Sequence, residues 1–126
     1  MRKLTKATLA LAGVSAMMLA APSTAQAASS SCSVNGYAWW LNNTCYTQSV
    51  WAQSGGHWID IHVGPYAGCG FDYKVRDVAN NVVIHSGRTY GDYDKTLFNV
   101  YSAYRLEVTR VGGNGCGGDA IIENEV

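Results

Sequence analysis

Short runs of alternating apolar and polar residues, separated by Gly, Asn and Ser, dominate the chain after residue 28 and predict β-strands. In Phe71–Arg76 the side chains of Phe71, Tyr73 and Val75 share one face, and Tyr104–Thr109 alternates in the same way. No part of this region has the sustained period of an amphipathic helix. The other predicted strands are Tyr37–Leu41, Tyr46–Gln53, His57–Val63, Val82–His85, Leu97–Val100 and Ala120–Ile122, with a polar loop over Arg88–Lys95.

Seven or eight short strands at this spacing are typical of a small all-β domain. We therefore predict a disulfide-bonded β-sandwich of antiparallel strands, and a single domain over residues 28–126 because no repeat or linker is visible. Tyr104, Leu106 and Val108 follow a turn in a pattern that resembles the late strand of immunoglobulin- and fibronectin-like sandwiches. The resemblance implies that the Tyr104 hydroxyl ties a corner of the sandwich.

Residues 1–27 have the pattern of a secretory signal peptide. A basic start is followed by the uncharged, mostly apolar run Ala7–Ala21, and Ala25-Gln26-Ala27 supplies the small residues that signal peptidase requires. The apolar run is too short to span a bilayer comfortably. We therefore predict a secreted, extracellular protein that begins near Ala28.

The charge balance of residues 28–126 limits the classes of partner. Six Lys or Arg residues face nine Asp or Glu residues after the leader, which gives a net charge of about −3. Nucleic acids and anionic membranes both require a concentrated basic surface. We therefore predict neither as a partner, and the same balance disfavours a membrane-active antimicrobial toxin.

Four cysteines lie after the leader, and an even number in an exported chain predicts disulfides. Of the three pairings, we favour the sequential one, Cys32–Cys45 with Cys69–Cys116. A four-cysteine zinc site is the alternative, but the chain has no C-x-x-C pair, and sequence gaps of 13, 24 and 47 positions do not suit one. No metal ion or other cofactor is therefore predicted.

Ser54-Gly55 predicts a two-residue hairpin turn, which would place Trp51 directly opposite Trp58 on the neighbouring strand. Because side chains alternate along a strand, both indoles would then lie among polar groups on the face away from the core. Such a face is typical of a binding patch. The alternative is that the indoles pack beneath a loop or the first strand, or that the register differs by one. The predicted binding residues of this face are Thr47, Ser49, Trp51, Trp58, Asp60 and His62.

An aromatic segment, Tyr37–Trp40, lies between Cys32 and Cys45. In this respect the chain resembles the small two-disulfide β proteins exported by Gram-positive soil bacteria, such as the tendamistat-like α-amylase inhibitors. Trp39-Trp40-Leu41 stands where those inhibitors carry Trp-Arg-Tyr, and the later cysteine gaps are longer, so amylase inhibition is not implied. The resemblance implies a bridged aromatic surface. Trp40 is a further candidate binding residue, because it and Trp39 must point to opposite faces of a strand.

Catalytic patterns are missing from the sequence. His57, His62 and His85 are candidate bases, but there is no G-x-S-x-G motif and the cysteines are predicted to be bridged. Asp92-Tyr93-Asp94 resembles part of a calcium loop but lacks the ligands that should follow it. We therefore predict that the protein is not an enzyme.

These observations favour a secreted, non-catalytic protein-interaction module. Such a module would be an inhibitor of an extracellular hydrolase or an adaptor subunit of a secreted, antibacterial complex, with an extracellular protein as its partner. The alternative is a carbohydrate-binding module or lectin, in which Trp51 and Trp58 stack on sugar rings. In that case Asp60, Ser49 and Thr47 would bond to the sugar hydroxyls.

Overall fold

The computed structural model describes residues 28–35, 43–112 and 115–125, which form two sheets of antiparallel strands. The predicted all-β class and sandwich architecture are confirmed. This part of the chain contains no helix long and apolar enough to cross a membrane. The strands are β1 (Ser29–Val34), β2 (Thr44–Tyr46), β3 (Val50–Trp51), β4 (Trp58–Pro65), β5 (Gly70–Asp77), β6 (Val82–Thr89), β7 (Tyr93–Phe98), β8 (Ala103–Val111) and β9 (Gly118–Glu123).

The two sheets have different strand orders. Sheet A has the order β1-β9-β4-β7, and sheet B has the order β2-β8-β5-β6, with the short strand β3 also paired to β8. The strands β6 and β7 are edge strands of different sheets, and a hydrogen bond of 3.4 Å between Tyr93 of β7 and His85 of β6 places them on the same side of the sandwich.

Alternate side chains of the central strands fill the space between the sheets, which is how a sandwich builds its core. In β4 every second residue is buried and its neighbours are partly exposed. The predicted inward face of β5 is confirmed, because Phe71, Tyr73 and Val75 are all buried. Other buried core residues are Val34, Val50, Ile59, Ile61, Val63, Leu106, Val108, Ala120 and Ile122.

Both predicted disulfides form. Cys32–Cys45 joins β1 of sheet A to β2 of sheet B, so it closes one side of the sandwich covalently. Cys69–Cys116 ties the β4–β5 connection to the segment before β9. Cross-links of this kind stabilise a small fold mainly by restricting the unfolded chain.

The strand boundaries differ from prediction where polar sequence continues a strand. The predicted loop Arg88–Lys95 is wrong, because β6 runs to Thr89 and β7 begins at Tyr93. Serine-rich β1 was not predicted, and the predicted strand Tyr46–Gln53 is divided between β2 and β3. Backbone pairing decides these ends, since the outer face of a sheet accepts polar residues. The predicted strand Tyr37–Leu41 lies outside the described residues.

The Tyr104 side chain ties a corner, as its resemblance to other sandwiches implied. Tyr104 is only 4% exposed, and its hydroxyl accepts a hydrogen bond of 3.1 Å from the backbone N–H of Tyr101, three residues upstream. The bond fixes the turn that leads from β7 into β8. We expect this turn to depend on the hydroxyl as well as on the buried ring.

The Tyr104→Phe variant tests that dependence. Removing the hydroxyl leaves the Tyr101 N–H without its acceptor, so the free energy of unfolding should fall by about 1–3 kcal/mol. Urea denaturation followed by far-UV circular dichroism measures the change. Tyr46→Phe is the matched control, because Tyr46 is 60% exposed, and its variant should be as stable as wild type. Equal stability of both variants would contradict the role of the Tyr104 hydroxyl.

Candidate functional site

The loop around Ser54-Gly55 is longer than predicted. Gln53 and Trp58 form the closing pair, with Gln53 N–H donating to Trp58 O over 2.8 Å. The N–H of His57 donates to the Gln53 carbonyl over 2.6 Å, and the N–H of Gly55 donates to the Gln53 side chain over 2.7 Å. Residues 54–57 therefore make a four-residue loop, and the predicted two-residue turn is wrong.

The predicted pairing of Trp51 with Trp58 is also wrong, because the chain changes sheets between them. Trp51 pairs with Ala103 in sheet B, whereas Trp58 pairs with Phe98 in sheet A. The N–H of Ala52 donates to the Ser102 carbonyl over 3.0 Å, which continues the contact between this segment and the start of β8. The single face carrying both indoles therefore does not form.

Two further predicted binding residues lie away from any such face. Thr47 is buried, and its hydroxyl accepts a hydrogen bond of 3.0 Å from the Leu106 N–H. Its predicted outward position is therefore wrong, because that hydroxyl completes the backbone bonding of β8. Ser49 is exposed in the connection between β2 and β3. Trp40 lies outside the described residues.

Asp60 and His62 do share the outer face of sheet A with Trp58, as the alternation of β4 predicted. All three side chains are partly exposed and alternate with buried aliphatic residues. The Asp60 carboxylate accepts a short hydrogen bond from the Thr96 hydroxyl of β7. His62 Nδ1 lies 2.6 Å from Asp94 Oδ1.

A group of aromatic side chains lies at the end of the sandwich where β4 begins and β7 ends. Phe98 and Tyr101 are each 66% exposed, Trp51 is 45% exposed, and Trp58 is partly exposed. The His57 ring lies 4.3 Å from the Tyr101 ring, centroid to centroid. We call this surface the aromatic end and define it as Trp51, His57, Trp58, Phe98 and Tyr101.

Unusual backbone geometry positions these rings. His57 and Asn99 adopt φ angles of 53° and 61°, in the left-handed region that residues other than glycine seldom occupy. The N–H of Val100 donates to the His57 carbonyl over 3.2 Å. This hydrogen bond links the loop that contains His57 to the segment that contains Asn99. Strain of this kind is concentrated at functional sites. It marks the aromatic end as a candidate binding surface.

Gly56 allows the Trp58 indole its position. A Cβ atom at Gly56 would lie 2.6 Å from Trp58 Cδ1, closer than any normal contact. The indole therefore covers the backbone of the preceding loop. This contact fixes the ring against the loop that also carries His57.

The aromatic end contains two concave regions. The Trp51 cleft, of about 160 Å³, is lined by Trp51, Ala52, Ser54, His57, Val100 and Tyr101. The Trp58 groove, of about 380 Å³, is lined by Trp58, Asp60, Thr96, Phe98 and Glu125. His57, Phe98, Tyr101 and Glu125 were not predicted as binding residues, because only the folded loops bring them beside the tryptophans.

On sheet B, ion pairs neutralise the outward carboxylates. Arg76 Nε and Arg105 Nε lie 2.8 and 2.7 Å from Glu107 Oε2. Burial raises the pKa of the Glu107 carboxyl, but the two guanidinium groups outweigh burial and hold it below its ordinary value. The hydrogen bond from Arg88 likewise lowers the pKa of Asp72. Both carboxylates are paired with arginines of sheet B. They therefore stabilise the fold and are not free to bind a ligand.

Metal-ligating side chains are not clustered in the part of the chain that the structure describes. No group of three or more His, Cys, Asp or Glu side chains in this part of the chain could hold a metal ion. His85 Nε2 lies 3.2 Å from the Tyr73 hydroxyl, and His62 bonds to Asp94. Burial lowers the pKa of His85, so the uncharged ring is favoured there.

Comparison with known proteins adds no functional assignment. No protein-family model matches this chain, and no curated protein is significantly similar to it in sequence.

The Glu107→Gln variant should lose about 1–3 kcal/mol of unfolding free energy near neutral pH, because the guanidinium groups of Arg76 and Arg105 lose a charged acceptor that is nearly buried. A lowered folded-state pKa stabilises the fold above the ordinary carboxyl value of 4.5, and this contribution disappears as the pH falls through the folded-state value. The difference between wild type and variant should therefore shrink on acidification. Urea denaturation across this pH range measures it.

Asp72→Asn is the matched control for that experiment. Asp72 pairs with a single arginine and is 44% exposed, so solvent screens the pair and its loss should cost less than about 1 kcal/mol. A Glu107→Gln variant that is no less stable than Asp72→Asn at neutral pH would contradict the assignment.

Substitution of His57 separates backbone strain from ring contact. His57→Gly and His57→Ala both remove the ring, but only glycine adopts a φ of 53° without a steric cost. The glycine variant should therefore be more stable than the alanine variant by about 1 kcal/mol. Thermal or urea unfolding of the two proteins measures the difference, and the opposite order would show that the loop relaxes out of the left-handed conformation.

Proposed function

We propose that this chain is an exported, non-catalytic protein-interaction module that binds its partner through the aromatic end. The observation that carries the proposal is the exposure of Trp51, Phe98 and Tyr101 at one end of the sandwich, beside partly exposed Trp58. Exposed aromatic groups edged by polar residues are typical of protein-binding surfaces, and tryptophan and tyrosine supply much of the energy of such contacts.

The backbone of the aromatic end supports a binding role. The left-handed residues His57 and Asn99 flank the rings, and their backbones are linked through Val100. A surface that is held before the partner arrives loses less conformational entropy on binding. Rigid aromatic groups on strained loops therefore favour recognition of a defined partner.

Export is part of the proposal and has two supports. The leader pattern of residues 1–27 is typical of secretion, and the two disulfides suit an oxidising compartment. The nitrogen of Ala28, the residue after the predicted cleavage position, donates to Asn124 Oδ1 over 2.6 Å. Cleavage there would leave the domain with its first residue already anchored.

Within this function, two roles remain as proposals. The protein would block an extracellular hydrolase, or it would join subunits of a secreted, antibacterial complex. Both roles use the same surface and need no catalytic residue.

A carbohydrate-binding module is the second candidate. The Trp51 cleft places an indole, a phenol ring and an imidazole beside the Ser54 hydroxyl in about 160 Å³. Such a combination offers a stacking surface and hydrogen-bonding groups for one sugar ring. This candidate needs the cleft alone, whereas a protein partner would contact the whole aromatic end.

Capture of partners from culture medium tests the proposal. The full chain is expressed with its leader and exported, and its tag follows a flexible linker because Glu125 lines the Trp58 groove. Wild type should retain a defined set of secreted proteins. The Trp51→Ala/Tyr101→Ala variant should bind the captured protein at least about 30-fold more weakly, as expected for loss of central aromatic residues.

Tyr66→Ala is the matched control, because Tyr66 is 49% exposed and follows β4 at the opposite end of the sandwich. Its capture should equal that of wild type. Retention on chitin, cellulose or cell walls that free sugar competes away, and that Trp51→Ala removes, would support the carbohydrate candidate instead. Failure of wild type to retain any secreted protein, or equal capture by all variants, would contradict the proposed function.

A further inference from the structure

The Trp58 groove combines aromatic rings with carboxylates. Trp58 and Phe98 are directly paired across β4 and β7, so their side chains lie together on the outer face of sheet A. The next outward pair is Asp60 and Thr96, and Glu125 completes the lining after β9. A group bound here would contact two aromatic rings and two acidic side chains at once.

Neither carboxylate of the groove is neutralised within the described part of the chain. The Asp60 carboxylate accepts a hydrogen bond from Thr96, but no lysine, arginine or histidine forms an ion pair with Asp60 or Glu125 there. All six Lys and Arg residues that follow the leader belong to this described part. The negative charge of the groove therefore remains available to a ligand.

The rest of the outer face of sheet A reinforces this charge. Asp119 and Glu123 alternate with buried residues in β9, and Asp94 pairs with His62 across β4 and β7. Asp92 Oδ1 lies 3.3 Å from the Cβ position of Gly64, so its carboxylate also covers this face. The six carboxylates on or bordering the face are Asp60, Asp92, Asp94, Asp119, Glu123 and Glu125.

Basic side chains project mainly from the other sheet. Five of the six basic side chains after the leader lie on strands of sheet B: Lys74, Arg76, Arg88, Arg105 and Arg110. The carboxylates among them bind them directly, as Glu107 and Asp72 do. Lys95 lies on β7 of sheet A and lines a small pocket with Asp60 and Asp94. Because carboxylates outnumber basic side chains on sheet A, the field outside this sheet attracts cationic partners.

From this geometry we infer that the Trp58 groove binds an arginine side chain of the protein partner. The inference rests on the proposed function and names the partner's chemistry at the same surface. A guanidinium group stacks on aromatic rings and also forms paired hydrogen bonds to carboxylates, so it uses both components of the groove. A neutral sugar would leave the two carboxylate charges uncompensated.

Titration with a synthetic peptide of alternating glycine and arginine tests the inference. Two-dimensional NMR of the ¹⁵N-labelled exported protein, with its tag removed, reports the Trp58 indole N–H and the Phe98 amide. Both signals should shift on binding, and added salt should weaken the affinity because charges are compensated. The same peptide with citrulline in place of arginine has the same shape without the charge and should bind at least about tenfold more weakly.

Two double variants with the same change in net charge locate the site. Asp60→Asn/Glu125→Gln removes the carboxylates of the groove, and affinity for the arginine peptide should fall at least about tenfold because charge-assisted hydrogen bonds are lost. Asp92→Asn/Asp119→Asn removes two carboxylates from the same face outside the groove, and affinity should fall less than about threefold because only distant, screened attraction is lost. Glu125→Gln alone, which leaves the Asp60–Thr96 bond intact, should give an intermediate loss.

The outcomes separate this inference from the proposed function. Equal losses in the two double variants, equal binding of the citrulline peptide, or shifts at another surface would overturn the arginine groove. If Asp60→Asn/Glu125→Gln captures the secreted partner as well as wild type does, the groove is wrong and the interaction function stands. If the peptide binds as expected but no partner is captured through Trp51 and Tyr101, the affinity of the groove for arginine stands, whereas the interaction function is wrong and the arginine must come from another source.

Discussion

The aromatic end depends on one buried amide side chain, that of Asn124. Its Oδ1 accepts a hydrogen bond from the Ala28 nitrogen, its Nδ2 donates to the Trp51 carbonyl over 2.8 Å, and its backbone N–H donates to the Ala28 carbonyl. Because Asn124 is only 1% exposed, loss of these bonds would leave polar groups unpaired away from water. Strand β3 has two residues, and its pairing among the described residues is with β8. The position of Trp51 in sheet B is therefore fixed partly by the last segment of sheet A.

The two outer faces show how the same strand alternation produces different chemistry. On sheet B, Glu107 is nearly buried between two arginines, and its charge stabilises the fold. On sheet A, Asp60 and Glu123 sit directly opposite each other on paired strands. Like charges in that position repel and reduce stability. The hydrogen bond from Thr96 to Asp60 offsets part of this repulsion, and a cationic partner bound at this face would offset more of it.

Local sequence patterns were sufficient for the architecture and insufficient for the site. The alternation of Phe71, Tyr73 and Val75 identified an inward face because it depends only on the two-residue period of a strand. The loop at Ser54-Gly55 could not be derived in the same way. The length of this loop depends on the left-handed conformation of His57, which cannot be predicted from the residue type. It also depends on the pairing of Trp51 with β8, which is a tertiary contact.

The division of the tryptophans between the sheets bears on the kind of partner. A flat saccharide surface is best bound by rings arranged side by side on one strand pair, and the predicted Trp51/Trp58 pair would have provided that. Instead, Trp58 stands beside Phe98 on sheet A, while Trp51 lies with Tyr101 and His57 in a separate cleft. A ligand the size of one sugar ring reaches only one of these regions. A protein surface is large enough to cover both regions at once.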